Sequence, residues 1–263
     1  MTGEGGRTAR LQIYRGTASE GELKEYDVEV TPGMVVLDAV LAVQAEQSPD
    51  LAVRWNCKAG KCGSCSAEVN GEPRLMCMTR MSSLPPGEPV TVEPMKSFRV
   101  EKDLVTDVSW NFEVDQKIPP FLPVAPEADG TWRMQQIDVA RPQEFRKCIQ
   151  CFLCQDVCHV IRQHELKPHF AGPAFFAKLA YLEMHPLDAR DRSEFIKQVG
   201  GIGLCNITKC CTEVCPEHIT ITDNAIIPLK EREVDHYFDP LGGLIRRARE
   251  RRARKGTKEA GLL

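Results

Sequence analysis

The spacing of the cysteines constrains this chain more than any other feature. Twelve occur in 263 residues, and eleven of them fall into two patterns. Cys57, Cys62 and Cys65 form C-x4-C-x2-C, with Cys77 following after eleven residues. That is the plant-type [2Fe–2S] spacing. Cys148, Cys151, Cys154 and Cys158 form C-x2-C-x2-C-x3-C, and Cys205, Cys211 and Cys215 follow, the last ahead of Pro216. The first of these runs is the bacterial ferredoxin pattern. Two iron–sulfur grammars on one chain point to an electron-transfer relay.

A loop carrying three thiolates in nine residues must wrap its cluster so that every sulfur points inward. In Cys57-Lys-Ala-Gly-Lys-Cys-Gly-Ser-Cys, Gly60 and Gly63 permit that wrap and let backbone N–H groups approach the sulfurs, while Lys58 and Lys61 can offset thiolate charge. Four cysteines also satisfy tetrahedral zinc, but zinc ligands come as paired knuckles rather than three plus one. In the second half, a two-cluster ferredoxin gives three cysteines of each run to one cluster and the fourth to the other. Cys148, Cys151, Cys154 and Cys215 then hold a [4Fe–4S] cluster. The other run should read Cys205, a cysteine at 208, then Cys211, with Cys158 crossing over; position 208 is threonine. Three cysteines, Cys158, Cys205 and Cys211, are left for a [3Fe–4S] cluster. Cys210 is surplus. Its spacing to Cys215 argues against its replacing Cys211, and it is expected to be a buried spectator.

The remaining composition narrows the setting. The chain has length for two domains. MTGEGGRTAR has no apolar core and carries Glu4, so neither a secretory signal nor a transit peptide is expected. A reducing compartment then suits twelve cysteines better than disulfides do. No stretch approaches the roughly twenty apolar residues of a membrane span. A net charge of −3 gives no argument for nucleic-acid binding.

Alternation predicts strands over 11–15 and 26–30, and helical spacing predicts a helix over 34–46. Strands at 66–69 and 72–76 flank Asn70-Gly71, a strong hairpin signal, and 90–92 adds another. The fold class expected is α+β: an N-terminal β-grasp, plant-type ferredoxin-like domain over 1–110, a proline-rich connector over 111–140, and a C-terminal all-α, bacterial two-cluster ferredoxin-like domain over 141–240. A basic tail over 241–263 completes the chain. The non-periodic, proline-rich stretch begins earlier, near Met95. Helices are predicted over 141–150, 174–183, 192–199, 225–234 and 241–254.

The segments WNCKAGKCGSC with Cys77, CIQCFLCQDVC, and the C-x5-C-x3-C-P ending at Pro216 resemble the iron–sulfur subunit of succinate dehydrogenase and fumarate reductase. Arg54, Lys102 to Asp107 and Phe170-Ala-Gly-Pro173 extend the likeness over nearly the whole chain. The resemblance implies a relay from FAD in a flavoprotein subunit, through [2Fe–2S], [4Fe–4S] and [3Fe–4S], to quinone at one or more membrane anchor subunits. It implies a place on the cytoplasmic face of the bacterial inner membrane, and the activity of succinate dehydrogenase (quinone), or the same relay reversed in a quinol:fumarate reductase. No residue here is expected to act on the dicarboxylate, and the chemistry belongs to the cofactors.

Family members with a well-formed quinone pocket carry a proline, a tryptophan and a histidine where this chain has His159, the Trp-free stretch 160–164 and Asn206. Quinone contact is therefore expected to rest on the anchor or on another donor such as His159. His159, His164 and His169 are otherwise expected to be surface or hydrogen-bonded histidines, and Lys230 a solvated lysine. Between Leu244 and Lys258, eight basic residues face one glutamate. This stretch suits either anionic lipid headgroups or a solvated tail. Two other functions fit the cysteines alone. A diffusible ferredoxin-like carrier has no use for three clusters and a long connector, and an adaptor in a heterodisulfide-reductase-like complex would copurify with cofactors other than FAD.

Overall fold

The structure, a computed structural model, describes residues 7–163, 166–239 and 244. Its first half is a five-stranded sheet with one helix packed across it. Strands β1 (Arg7–Gly16) and β2 (Gly21–Val30) form a long antiparallel hairpin in which Leu11 faces Tyr26 and Ile13 faces Lys24. Strands β3 (Ser66–Val69) and β4 (Glu72–Leu75) form the hairpin expected at Asn70-Gly71, both of whose turn residues have positive φ. Strand β5 (Val90–Glu93) lies between the hairpins, parallel to β1 and antiparallel to β3, giving the order β2-β1-β5-β3-β4. Helix α1 (Val36–Glu46) covers one face. Val36, Leu37, Val40 and Val43 bury against Leu11, Ile13 and Val92, the helical period meeting the strand period of two.

The proline-rich segment read as a connector with extended pieces holds more regular structure than its composition suggests. Strands β6 (Arg99–Lys102) and β7 (Val105–Asp107) form a two-stranded ladder, and helix α2 (Ser109–Lys117) follows. Only the stretch from Pro119 to Gln135, with an isolated bridge between Pro123 and Asp188, is irregular.

Beyond it the chain is helical, as expected, in short pieces. Helix α3 (Gln136–Gln143) passes into a 3₁₀ turn at Glu144–Lys147 and stops, so the single helix predicted over 141–150 is not formed. Gln150 at φ 53° lies in the left-handed region and cannot continue a right-handed helix. Helices α4 (Leu153–Asp156) and α5 (His159–Arg162) follow, then α6 (Pro173–Glu183), α7 (Ser193–Gln198), α8 (Cys210–Glu213) and α9 (Ile227–Phe238). The helix predicted over 225–234 begins as a π turn at Ile221–Ile226, and Pro228 sits in the first turn of α9, where its missing N–H costs nothing. The helix predicted over 241–254 lies, apart from Leu244, outside the described residues. Helix α6 is the centre of the second core, where Phe175, Phe176, Leu179 and Ala180 meet Phe145, Ile161, Phe170, Ile221 and Leu229. The two cores touch, because Leu153 and Cys151 of the helical half bury in the core of the sheet.

Candidate iron–sulfur sites

All twelve cysteines are unbridged. In the first loop, Lys58, Gly60 and Gly63 take φ values of 53°, 67° and 68°, and this alternating backbone turns its N–H groups inward. The N–H groups of Ala59 and Lys61 donate to Cys57 Sγ at 3.3 and 3.2 Å, and that of Cys57 to Cys62 Sγ at 3.5 Å. The β3–β4 hairpin returns Cys77 to Cys65, with Met76 N–H donating to the Cys65 carbonyl at 3.1 Å. Burial weighs most on both thiols described next. At Cys62 it is outweighed by hydrogen bonds from Ser64 and Cys57, which bring the thiol down to about 6. At Cys65 burial prevails and, with the Cys77 thiol beside it, pushes it up to about 12. Such a set tolerates several thiolates only around a compensating cationic core.

The second loop repeats the device. Cys148, Cys151 and Cys154 are separated by the left-handed residues Gln150 (53°) and Phe152 (60°). Cys215 reaches the same cavity from the far end of the chain, together with Pro216, Ile219 and Ile221, and Ile219 N–H donates to its Sγ at 3.4 Å. Burial pushes Cys151 to about 12 and Cys154 well above its usual range, and the thiols of Cys148 and Cys215 add to the rise at both. The third group, Cys158, Cys205 and Cys211, lines a further cavity with His159, Asn206, Thr208 and Thr222. Burial pushes Cys211 to about 11, opposed by the Thr222 hydroxyl 3.3 Å away. Among the described residues no three His, Cys, Asp or Glu side chains converge on a single ion. The thiols are spread around cavities, an arrangement that a multi-atom cluster spans.

The three groups adjoin. A Cβ on Gly63 would stand 2.6 Å from Cys151 Cα, so the first and second loops touch backbone to backbone. Ser66 Oγ lies 2.9 Å from the carbonyls of both Gly63 and Cys151. Cys154 of the second group and Cys158 and Cys211 of the third are buried in one core. Lys61, expected near its own cluster, also pairs with Glu217 of the second half at 2.9 Å.

Several contributors carry no signature in the sequence. Glu68 on β3 is fully buried and pairs with Lys96 at 2.8 Å and with Arg162, four residues after Cys158. Asp156, between Cys154 and Cys158, accepts from Ser97 N–H at 3.0 Å, and burial above all pushes its carboxyl up to about 7. This network fastens the sheet to the segment that carries Cys154 and Cys158. Three expectations need correction. Lys230 is not solvated but reaches from α9 to donate to the Cys205 carbonyl at 2.6 Å. His159 is half-buried, and its Nε2 has no partner among the described residues. Cys210 is half-exposed rather than buried, because it opens helix α8 at the rim of the third cavity. His169 is exposed as expected, and His164 lies outside the described residues.

Residues 10–113 match the family described as a 2Fe-2S iron-sulfur cluster binding domain, and residues 144–219 match a 4Fe-4S dicluster domain. The fumarate reductase iron-sulfur subunit of Mycobacterium tuberculosis is 33% identical over 199 residues, covering 74% of this chain and 79% of that one. The chain belongs to the family of succinate dehydrogenase and fumarate reductase iron–sulfur subunits. The succinate dehydrogenase iron-sulfur subunit of Bacillus subtilis is 28% identical over 234 residues, covering 82% of this chain and 89% of the relative. A chain of the Mycobacterium smegmatis Sdh1 complex in the apo form superposes with a TM-score of 0.86 at 60% identity, over 89% of this chain and 99% of that one. This iron–sulfur subunit is the electron-transfer component of an oxidoreductase, with a ferredoxin-like sheet domain and a helical dicluster domain. Among the described residues no helix is long and apolar enough to cross a membrane.

One acidic group in the helical half sets a pH dependence. Glu233 on α9 is buried, and neither carboxylate oxygen has a hydrogen-bond partner among the described residues. Burial first, then repulsion from Asp191 and Glu183, outweighs Lys197 and Arg232 and raises its carboxyl to about 7. The folded state thus holds this proton more tightly than the unfolded chain, and stability falls as pH rises from the ordinary carboxylate range toward 7. Glu233→Gln is expected to leave the unfolding midpoint unchanged at about pH 5 and raise it at about pH 8. Equal shifts at both pH values would contradict this.

Proposed function

We propose that this subunit passes electrons from FAD in a flavoprotein partner to quinone at a membrane anchor, as part of a succinate dehydrogenase on the cytoplasmic face of a bacterial plasma membrane. Cys57, Cys62, Cys65 and Cys77 hold [2Fe–2S], Cys148, Cys151, Cys154 and Cys215 hold [4Fe–4S], and Cys158, Cys205 and Cys211 hold [3Fe–4S]. The observation that carries the reading is the contiguity of the three thiol groups, through Gly63 and Cys151 and then through the shared core of Cys154, Cys158 and Cys211. Domain bounds of 1–110, 111–140, 141–240 and 241–263 accompany it.

Each cluster, when bound, accepts and gives up one electron. The chain's own residues supply position and tuning. Ala59 and Lys61 direct their N–H groups at Cys57 Sγ, and the second cavity buries Cys151 and Cys154 among apolar residues such as Ile219 and Ile221. Acid–base residues for the dicarboxylate belong to the flavoprotein partner. The 60% identity to a chain of an Sdh1 complex favours succinate oxidation, while relatives named fumarate reductase support the reverse direction as the second reading.

EPR of the complex purified from membranes tests the assignment. A three-iron signal is expected in the oxidised sample, with [2Fe–2S] and [4Fe–4S] signals growing in on stepwise reduction. Two four-iron clusters and no three-iron signal would overturn the Cys158, Cys205 and Cys211 assignment. Thr208→Cys restores the full run and is expected to replace the three-iron signal by a second [4Fe–4S] signal; a persistent three-iron signal would count against position 208 as the vacant corner.

A further inference from the structure

The surplus thiol stands at the corner that position 208 leaves open. The two ligand runs repeat each other residue by residue in backbone conformation. Residues two and four after the first cysteine are left-handed in both, Gln150 and Phe152 in one, Ile207 (61°) and Lys209 (65°) in the other. Each run then enters a four-residue helix, at Leu153 and at Cys210. Thr208 therefore occupies the place of the ligand Cys151, and Cys210 the place of Leu153. Leu153 is 1% exposed and packs into the core of the sheet, as a bystander at that position should.

Cys210 does not behave as Leu153 does. It is half-exposed, it lines the third cavity together with Cys158, Cys205 and Cys211, and its Sγ lies 3.3 Å from Thr208 Oγ1. A sulfur so close to the side-chain oxygen of the substituted ligand stands next to where a cysteine at 208 would put its own. Four thiols, not three, share the cavity.

We propose that Cys210 is a reserve ligand that makes the third site convertible, binding a fourth iron under reducing, iron-replete conditions and giving it up on oxidation. The inference rests on the three-iron reading above. The oxidised three-iron cluster contains three ferric ions. One electron, delivered by the relay or by an added reductant, and one ferrous ion convert it to a four-iron cluster with two ferric and two ferrous ions. The Cys210 thiol loses its proton to solvent as its sulfur bonds the incoming iron. Removal of one electron by an oxidant reverses the step, releasing ferrous iron and reprotonating Cys210. Because cluster type sets reduction potential, this would place an iron-dependent control on the last site of the relay.

The test uses the whole complex under anaerobic conditions. Oxidised enzyme is measured by EPR, treated with dithionite and ferrous iron enriched in 57Fe, freed of excess iron with a chelator, and reoxidised mildly. Loss of the three-iron signal is expected in the wild type, with 57Fe appearing by Mössbauer spectroscopy in a cubane, and ferricyanide should restore the original signal. Cys210→Ser and Cys210→Ala should show the same three-iron signal before treatment and keep it afterwards. An unchanged signal in the wild type, or equal loss in the wild type and both variants, overturns the reserve-ligand role while leaving the three-iron reading intact. Absence of any three-iron signal before treatment overturns both.

Discussion

Gly63→Ala is expected to separate the first two cluster loops and slow electron passage between them. Gly63 has φ +68°, where a residue with a Cβ pays about 1–2 kcal/mol. The added Cβ would also lie 2.6 Å from Cys151 Cα and 2.9 Å from its backbone nitrogen. Those atoms belong to the loop that carries Cys148, Cys151 and Cys154, so the strain is relieved only by moving one loop off the other. The single proton that Ser66 Oγ shares between the Gly63 and Cys151 carbonyls could then no longer bridge the loops, at about 1 kcal/mol. Together these amount to a loss of roughly 2–3 kcal/mol. Gly71→Ala is the matched control, since Gly71 has φ +78° and nothing within 4 Å of its Cβ position. Both variants carry the backbone penalty, but only Gly63→Ala should lower the rate at which the second cluster is reduced after the first. Comparable unfolding midpoints and reduction rates for the two variants would show that the loops are not in contact.

The legible part of this molecule is the part written by local chemistry. Cysteine spacing and Gly60 and Gly63 announce the first loop because a cluster dictates both ligand interval and backbone hand over a few residues. Asn70-Gly71 announces the hairpin for the same reason. The crossing of Cys215 to the first run could be anticipated because the ferredoxin pattern is itself a rule about pairing. What the sequence hides is long-range. Glu68, Lys96, Asp156 and Arg162 are ordinary charged residues until the sheet and the helical half are brought together, and nothing near Glu68 or Asp156 in the chain marks either as buried. The backbone repeat of 148–154 in 205–211 is masked because only the cysteines recur, while the left-handed positions are filled by Gln, Phe, Ile and Lys rather than glycine. Strands β6 and β7 and helix α2 are short and flanked by prolines, so neither periodicity has room to show.

Arg192 is the clearest case of a hidden determinant, and its removal is expected to be the most destabilising single change in the helical half. Read only as the start of a helix, it is fully buried in the structure. Its guanidinium pairs with Glu183 at 3.0 Å and with Asp188 at 2.7 Å, both carboxylates nearly inaccessible, and donates to the carbonyls of Pro119 and Pro120 at 2.8 and 2.9 Å. One side chain thus satisfies the end of α6, the turn before α7 and the irregular connector. Burial holds the Glu183 carboxyl above its ordinary range even with Arg232 and Arg192 opposing it, so desolvation dominates here. Arg192→Met would take the ion-pair partner from buried Asp188, leave Glu183 only the half-exposed Arg232 at 3.3 Å, and strand two carbonyls, at a cost of about 3–5 kcal/mol. Replacing Arg192, Glu183 and Asp188 together by apolar residues should cost much less, because no unpaired charge is left inside. Chemical unfolding of the complex, followed by fluorescence of Trp132 near the connector, would read both variants. A triple variant no more stable than Arg192→Met would mean that the connector carbonyls, not the ion pairs, carry the energy, and that Arg192 serves mainly to pin residues 119 and 120 against the domain that holds the second and third sites.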